Sequence, residues 1–339
     1  MNNEFTLALI DNSFLPNEFA TVGMRAEQAG FRVIRYSDSE AFLAASDDHA
    51  VIDTLLCMGG TPCDERLIAN MPRLRALLSA VTGIEGFDVN AATAQGVFIG
   101  NGQTELNYLG MAESTILLML AALYDLNGTQ KVLRESLSRP APLKGRSLRG
   151  LTVGFIGFGR IAQEVATRLA HWGTPMIAYV HRPNPMLDAL DVSPVRLDEL
   201  LERADIVSLH CSLNAETYHI LDARRLALMK RDAILINTAR GALVDEEALF
   251  NALVEERIAG AALDTFEVEP LPTESRLREL SSVILTPHMI GHTAKCNETL
   301  CDTAWESICR VARGEPPLFV KNPAAMERWR RRFAYVGAA

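Results

Sequence analysis

The stretch Leu151–Leu169, LTVGFIGFGRIAQEVATRL, decides the fold. Its first half, TVGFIG, is an apolar run rich in Val, Ile and Phe that is too short for a helix and reads as a strand. The chain then turns through Gly157, Phe158 and Gly159, and from Ile161 to Trp172 the apolar residues recur at helical spacing. The same grammar continues downstream. PMIAYV (175–180), DIVSLH (205–210), AILIN (233–237), AGAALD (259–264) and VILT (283–286) are further short apolar runs, with helical segments at Leu197–Arg203, Asp222–Met229 and Glu246–Glu256. Strands that alternate with helices imply a parallel sheet covered on both faces, the doubly wound α/β class. Asp245 reads as the N-cap of its helix, and Glu246 and Glu247 follow where negative charge suits the positive end of the dipole.

Working outward, the first hundred residues repeat this pattern on a smaller scale with FTLALI, VIDTLL, LRALLSAV and GVFIGN, which predicts a second α/β lobe. A strong apolar helix is expected over Met111–Leu126, an extended polar connector over Asn127–Leu148, and a late helix over Thr293–Arg313 that crosses back to the first lobe. The 339 residues suit two domains. We expect residues 104–290 to form one lobe, inserted into a discontinuous lobe made of residues 1–103 and 291–339. Neither an internal repeat nor a low-complexity segment interrupts this reading.

Composition narrows the function. Apolar residues make up 48% of the chain and charged residues 22%, which is ordinary globular usage and excludes disordered or collagen-like readings. With 33 Lys and Arg against 42 Asp and Glu, the net charge of −9 lacks the basic footprint of a nucleic-acid binder. The longest purely apolar run, Ile116–Tyr124, is too short to cross a bilayer, so no membrane partner is expected. MNNEFTLALIDN lacks the basic start and long apolar segment of a secretion signal. The 6 scattered cysteines read as reduced, mostly buried thiols of a cytoplasmic protein.

The turn in the deciding stretch has the G-x-G-x-x-A form of a dinucleotide fingerprint. Gly157 permits the tight turn, Gly159 lets backbone approach a pyrophosphate, and Ala162 keeps helix and sheet close, with the amides near Arg160 and Ile161 facing the phosphates. A carboxylate at the end of the next strand would hold the ribose hydroxyls of NAD. Here that strand ends in Val180, His181 and Arg182, which favours the 2′-phosphate of NADP over NAD.

Three further strings, DIVSLHCSLNAETYHILDARRLALMKRDAILINTARGALVDEEAL, AALDTFEVEPLP and VILTPHMIGHT, complete the pattern. Together with the glycine motif, the chain resembles the D-isomer-specific 2-hydroxyacid dehydrogenase family, densely from Met111 to His292 and more loosely elsewhere. The resemblance implies two Rossmann-like lobes with catalysis in the cleft between them, a nicotinamide cofactor and a homodimer. It places a catalytic set on Arg240, Glu269 and His288, and sets Cys211, Thr238, Ala239, Asp264 and the stretch His288–Gly291 around the cofactor, with Asp264 near the carboxamide. It also places Glu85 and Gly86, in VTGIEGFD, at the amides that dock the substrate carboxylate. Three departures accompany it: the acidic Glu85 in that loop, an extra residue with no Pro-Gly in NGQTELNYLGMAES, and Ser212 where the family commonly has Pro.

The residue types suit the chemistry. The forked, always charged guanidinium of Arg240 can hold a 2-oxo acid by its carboxylate and polarise its carbonyl. His288 can protonate the developing alkoxide, and Glu269, paired to the other ring nitrogen, would orient the imidazole and stabilise its protonated form. His288, His292 and Cys296 would align on one face only if their segment were helical, and Pro287 and Gly291 oppose that, so no metal is expected. The expectation is therefore a two-lobed oxidoreductase that reduces a small 2-oxo acid of the glyoxylate or hydroxypyruvate type. The rivals are a regulatory protein that senses dinucleotide and an NAD-dependent dehydrogenase of a larger 2-hydroxy acid.

Overall fold

The structure, a computed structural model, describes residues 5–140 and 145–333. The chain forms two compact units, one running to Leu106 and resuming at Thr293, the other spanning Asn107–His292.

The first unit is built on a five-stranded sheet: β1 (Thr6–Ile10), β2 (Arg32–Tyr36), β3 (Thr54–Cys57), β4 (Ala76–Ser79) and β5 (Phe98–Gly100), in the order β2-β1-β3-β4-β5 with every pair parallel. The second carries β6 (Val153–Ile156), β7 (Met176–Tyr179), β8 (Val192–Pro194), β9 (Ile206–Leu209), β10 (Ile234–Asn237), β11 (Gly260–Leu263) and β12 (Val283–Leu285), ordered β12-β11-β10-β9-β6-β7-β8 and parallel throughout. The central strands are buried along their whole length because helices cover both faces, which is why they read as unbroken apolar runs. On one face of the seven-stranded sheet Ile156, Val207 and Leu235 meet Leu200, Leu226 and Leu249, and on the other Val153, Phe155 and Ile206 meet Ala162, Val165 and Met119.

Two strands escaped the sequence reading. β2, RVIRY, sits at a sheet edge where Arg32 and Arg35 reach solvent, so it lacks an apolar run. β8 is also an edge strand and ends in a proline.

The apolar helix starts earlier than expected, at Glu105, and ends at Leu123. At 19 residues with a mean hydropathy of 1.5 it is long and apolar enough, by length and composition, to cross a membrane, which a count of the purely apolar run overlooks. It buries Ala112, Ile116, Met119 and Leu123 in the core beside Val153 and Phe155, as a core helix does. The extended connector expected after it is corrected too: Leu126–Arg134 is a helix. Asp125, at φ +47°, caps it through the Gly128 N–H, and Lys131 and Arg134 close its last turn. None of its residues is buried, so it left no core-facing pattern to read. Ala141–Lys144 of that stretch, and Met1–Glu4 of the N-terminal string, lie outside the described residues. The late helix runs from Ala294 to Ala312 and packs with β3, β4 and the helix Pro16–Gln28 in the first unit. Cys57, Cys63, Cys296 and Cys301 are buried, and Cys211 and Cys309 are half-buried.

Candidate active site

The seven-stranded sheet reverses its strand order at β6. From there the chain steps outward through β7 and β8, then returns to lay β9 on the other side of β6 and continues to β12. Loops leaving β6 and β9 therefore diverge, opening the crevice where ligands bind in such sheets. The glycine turn leaves β6 at that point. Gly157 has φ +89°, and a Cβ there would lie 2.7 Å from the Cys211 nitrogen, so both the conformation and the close approach of the β9 loop require glycine. Gly159 is the N-cap of the helix Arg160–Leu169 and offers no side chain to its first amides, and a Cβ on Gly159 would meet nothing within 4 Å. Unclaimed donors at a helix N-terminus, with open space before them, suit a pyrophosphate. The residues present thus fit a dinucleotide.

The loop after β7 is tied to this turn. The Gly157 N–H donates to the Tyr179 carbonyl (2.9 Å), and Asn184 Nδ2 donates to the Phe158 carbonyl (2.8 Å). His181 and Arg182, both exposed, are carried on that tether. Arg160 lies over the Tyr108 ring, 5.7 Å from its centroid, and Ile161 is half-buried. Burial pushes the Cys211 thiol up to about 11, so it stays protonated at neutral pH.

The catalytic candidates stand at the ends of β10, β11 and β12. Asn237 shapes the first loop: its Oδ1 accepts from the Ala239 N–H (3.1 Å) and its Nδ2 donates to the Arg240 carbonyl (2.9 Å). Thr238 beside it is buried and shares a hydrogen bond with Thr115 Oγ1 (3.2 Å). Arg240 is half-buried, with Nη1 donating to the Ala239 carbonyl. Asp264, at the end of β11, is 1% exposed and braces the next loop. It accepts from Thr286 Oγ1 (2.7 Å) and from the Met289 and Ile290 amides (3.1 and 3.3 Å). Burial raises its carboxyl above the usual range despite those bonds. Gly291, at the end of the braced loop, is buried.

That bracing holds His288 at φ +53°, a left-handed backbone rarely adopted by a non-glycine residue and often retained at functional sites. His288 Nδ1 lies 2.7 Å from Glu269 Oε2. The other Glu269 oxygen accepts from the Phe266 N–H (3.0 Å). Burial would lift the Glu269 carboxyl, but the bonds from His288 and Phe266, with the charges of His288 and Arg240, bring it below its ordinary 4.5. The carboxylate is therefore ionised at neutral pH and holds the ring by Nδ1.

Glu85 and Gly86 belong to the other unit. Glu85 is exposed, whereas Gly86 donates its N–H to the Gly59 carbonyl (2.8 Å) and accepts from the Cys63 N–H (2.8 Å), so its own backbone groups are already engaged. The helix Ala294–Ala312 begins after both histidines, with Thr293 as its N-cap, so His288, His292 and Cys296 do not share a helix face. Sequence reasoning gave His219 and Glu267 no assignment, yet Nε2 of the first lies 3.0 Å from Oε1 of the second, two residues before Glu269. Only the tertiary structure reveals that proximity.

Comparison with known proteins agrees with this geometry. Residues 116–290 match the model described as D-isomer specific 2-hydroxyacid dehydrogenase, NAD binding domain. The chain is 35% identical over 310 residues to a D-3-phosphoglycerate dehydrogenase of Mycobacterium tuberculosis, covering 91% of this chain and 57% of that protein. It thus spans little more than half the length of that relative. It is also 35% identical over 286 residues to a glyoxylate reductase of Thermofilum pendens, covering 81% of this chain and 83% of that one. Among solved structures, an NADPH-dependent glyoxylate/hydroxypyruvate reductase from Sinorhizobium meliloti, in complex with citrate, superposes with a TM-score of 0.79 at 26% identity, covering 95% of this chain and 98% of that one. The chain belongs to the D-isomer-specific 2-hydroxyacid dehydrogenases, a family of oxidoreductases.

Proposed function

We propose that the chain reduces a small 2-oxo acid of the glyoxylate or hydroxypyruvate type to the D-2-hydroxy acid, using NADPH in preference to NADH, and catalyses the reverse oxidation. The observation that carries this reading is the 2.7 Å contact between His288 Nδ1 and Glu269 Oε2, formed with the Arg240 charge acting on the same carboxylate. The unit Asn107–His292 is taken as the dinucleotide-binding domain and the other unit as the substrate-binding domain.

Bound reduced nicotinamide supplies a hydride for the carbonyl carbon. Gly157, Gly159, Arg160 and Ile161 hold the pyrophosphate at the helix N-terminus, and Cys211, Thr238, Ala239, Asp264 and Gly291 frame the rest of the cofactor. Arg240 binds the substrate carboxylate and polarises the carbonyl. His288 gives the alkoxide oxygen a proton from Nε2, and Glu269 keeps the ring in the required orientation and offsets the charge of the imidazolium. In the oxidative direction the same imidazole accepts the proton. His181 and Arg182 support the NADPH preference, since a cation suits a 2′-phosphate and repays nothing to a bare ribose hydroxyl.

The exposed Leu117, Tyr124, Leu126, Leu133 and Leu137, on and just after the apolar helix, support assembly as a homodimer. The free thiols suit a reducing compartment such as the cytoplasm.

The test follows reduced-nicotinamide absorbance with glyoxylate, hydroxypyruvate and bulkier 2-oxo acids, supplying NADPH and NADH separately. Turnover of the small acids with NADPH, lost in His288→Ala and Arg240→Ala, is the expected result. Turnover only of bulkier acids with NADH would replace it with the larger-substrate reading, which the phosphoglycerate dehydrogenase likeness favours. Tight dinucleotide binding without turnover would replace it with a regulatory sensor.

A further inference from the structure

Glu267, two residues before Glu269, makes its own set of contacts. The helix Glu246–Val254 begins with backbone donors to satisfy. Asp245 takes the Ala248 N–H (2.9 Å), and Glu267 Oε1 takes the Glu246 N–H (3.0 Å), capping the helix from a distant loop. The exchange is reciprocal, because Glu246 Oε1 accepts from the Glu267 N–H at 2.6 Å. His219 Nε2 lies 3.0 Å from the same Glu267 oxygen without forming a hydrogen bond to it. The His219 ring stacks on Tyr218 with centroids 4.0 Å apart, and the His219 N–H donates to the Ala242 carbonyl (2.9 Å).

These contacts join two loops that both carry reaction chemistry. One runs from Arg240 through Gly241 to Asp245, and the other from Phe266 to Glu269. They touch so closely that a Cβ on Gly241 would lie 1.8 Å from the Phe266 carbonyl carbon, so a glycine is obligatory there. Phe266 supplies the N–H that holds Glu269, so a shift of its backbone moves the carboxylate that orients His288.

We propose that Glu246 and Glu267 form a clamp that locks the Glu269 loop onto the Arg240 loop, and that both are thereby positioning residues for the proton transfer at His288. The proposal rests on the function proposed above, but part of its test does not. Misplacing a reacting group by about 1 Å can cost about a hundredfold in rate. The clamp itself depends on side-chain oxygens as acceptors and not on their charge, so an amide can replace a carboxylate.

The experiment compares Glu267→Ala, Glu267→Gln and Glu246→Ala with the unaltered full chain. It measures kcat, KM and cofactor Kd, and reads from 15N spectra of the substrate-free protein which ring nitrogen of neutral His288 holds the proton. The His288 signals are assigned by their loss in His288→Gln. We expect Glu267→Ala and Glu246→Ala to lower kcat by about ten- to a hundredfold with cofactor Kd within twofold, and to spread the His288 proton over both nitrogens. Glu267→Gln should restore both kcat and the Nδ1-protonated signature. A Glu267→Ala protein within twofold of the original kcat, an unchanged His288 signature in it, or a Glu267→Gln protein no better than Glu267→Ala would overturn the clamp. If the unaltered chain reduces no 2-oxo acid, the functional proposal fails, and the 15N signature still decides the clamp.

Discussion

The chain builds the same kind of sheet twice, and among the described residues the turn after the first strand is glycine-rich in only one of them. In both sheets the first strand is an interior one and the chain reverses beside it, between β1 and β3 in the one and between β6 and β9 in the other. The turn after β6 is glycine-rich and leaves the following helix N-terminus without a side-chain cap. The turn after β1 has no glycine. There Asn12 Oδ1 accepts from the Phe14 and Leu15 amides (3.0 and 2.8 Å), and Asp11 pairs with Arg35 at 2.6 Å. Two amides of that turn are thus taken up by the protein and two carboxylate oxygens stand beside them, although the helix Pro16–Gln28 that follows also begins without a side-chain cap. Topology supplies a crevice, but the residues of one turn decide what enters it.

The comparison can be broken or sharpened by experiment. The largest effect is expected at the strand ends of the seven-stranded sheet: His288→Ala should lower kcat by about 10²- to 10⁴-fold, with cofactor Kd nearly unchanged, in steady-state and binding assays. An equal loss of cofactor affinity would mean that the imidazole acts through binding. Next, Gly157→Val should weaken cofactor binding about a hundredfold by calorimetry, because a side chain at φ +89° must also displace the Cys211 backbone. Unaltered affinity would show that the turn is not the phosphate site.

A third test concerns His210, which sits beside that turn with Nε2 at 2.8 Å from Ser208 Oγ. Burial pulls its imidazole down from 6.5 to about 4. The unfolded chain then takes up the proton first as pH falls, so the stability tied to this residue is complete above 6.5 and lost progressively toward 4. The loss should amount to about 3 kcal/mol, read as the difference in the pH dependence of Tm between the original chain and His210→Gln. Parallel pH profiles would refute it.

Arg182→Ala should cut the preference for NADPH over NADH about tenfold in kcat/KM, the loss of one charge-assisted contact. The smallest effect is expected in the other unit. Asn12→Ala should cost about 1 kcal/mol of stability in denaturant unfolding and leave dinucleotide affinity untouched. A changed affinity would erase the contrast between the two turns.

Legibility followed burial. Central strands such as Ile206–Leu209 and Ile234–Asn237 were plain in the sequence because both faces are covered and every residue is apolar or small. Edge strands β2 and β8 and the unburied helix Leu126–Arg134 were not, since solvent on one side removes the apolar signature. Among the proposed site residues, Gly157 was read from its glycine motif, and Arg240, Glu269 and His288 from the family resemblance. The roles of Asp264 in bracing the His288 loop and of Glu267 in capping a helix were not, because each depends on a partner from a distant element.

By itself, the sequence determined the doubly wound class, the glycine turn and the identity of the chemical groups, because short-range period and residue type carry that information. Tertiary structure alone decided that His288 adopts φ +53° and meets Glu269 at 2.7 Å, and that Asn12 takes up two amides of the turn after β1. Those outcomes depend on which donor finds which acceptor once the chain is folded, and a buried polar group takes whatever partner the packing brings within reach.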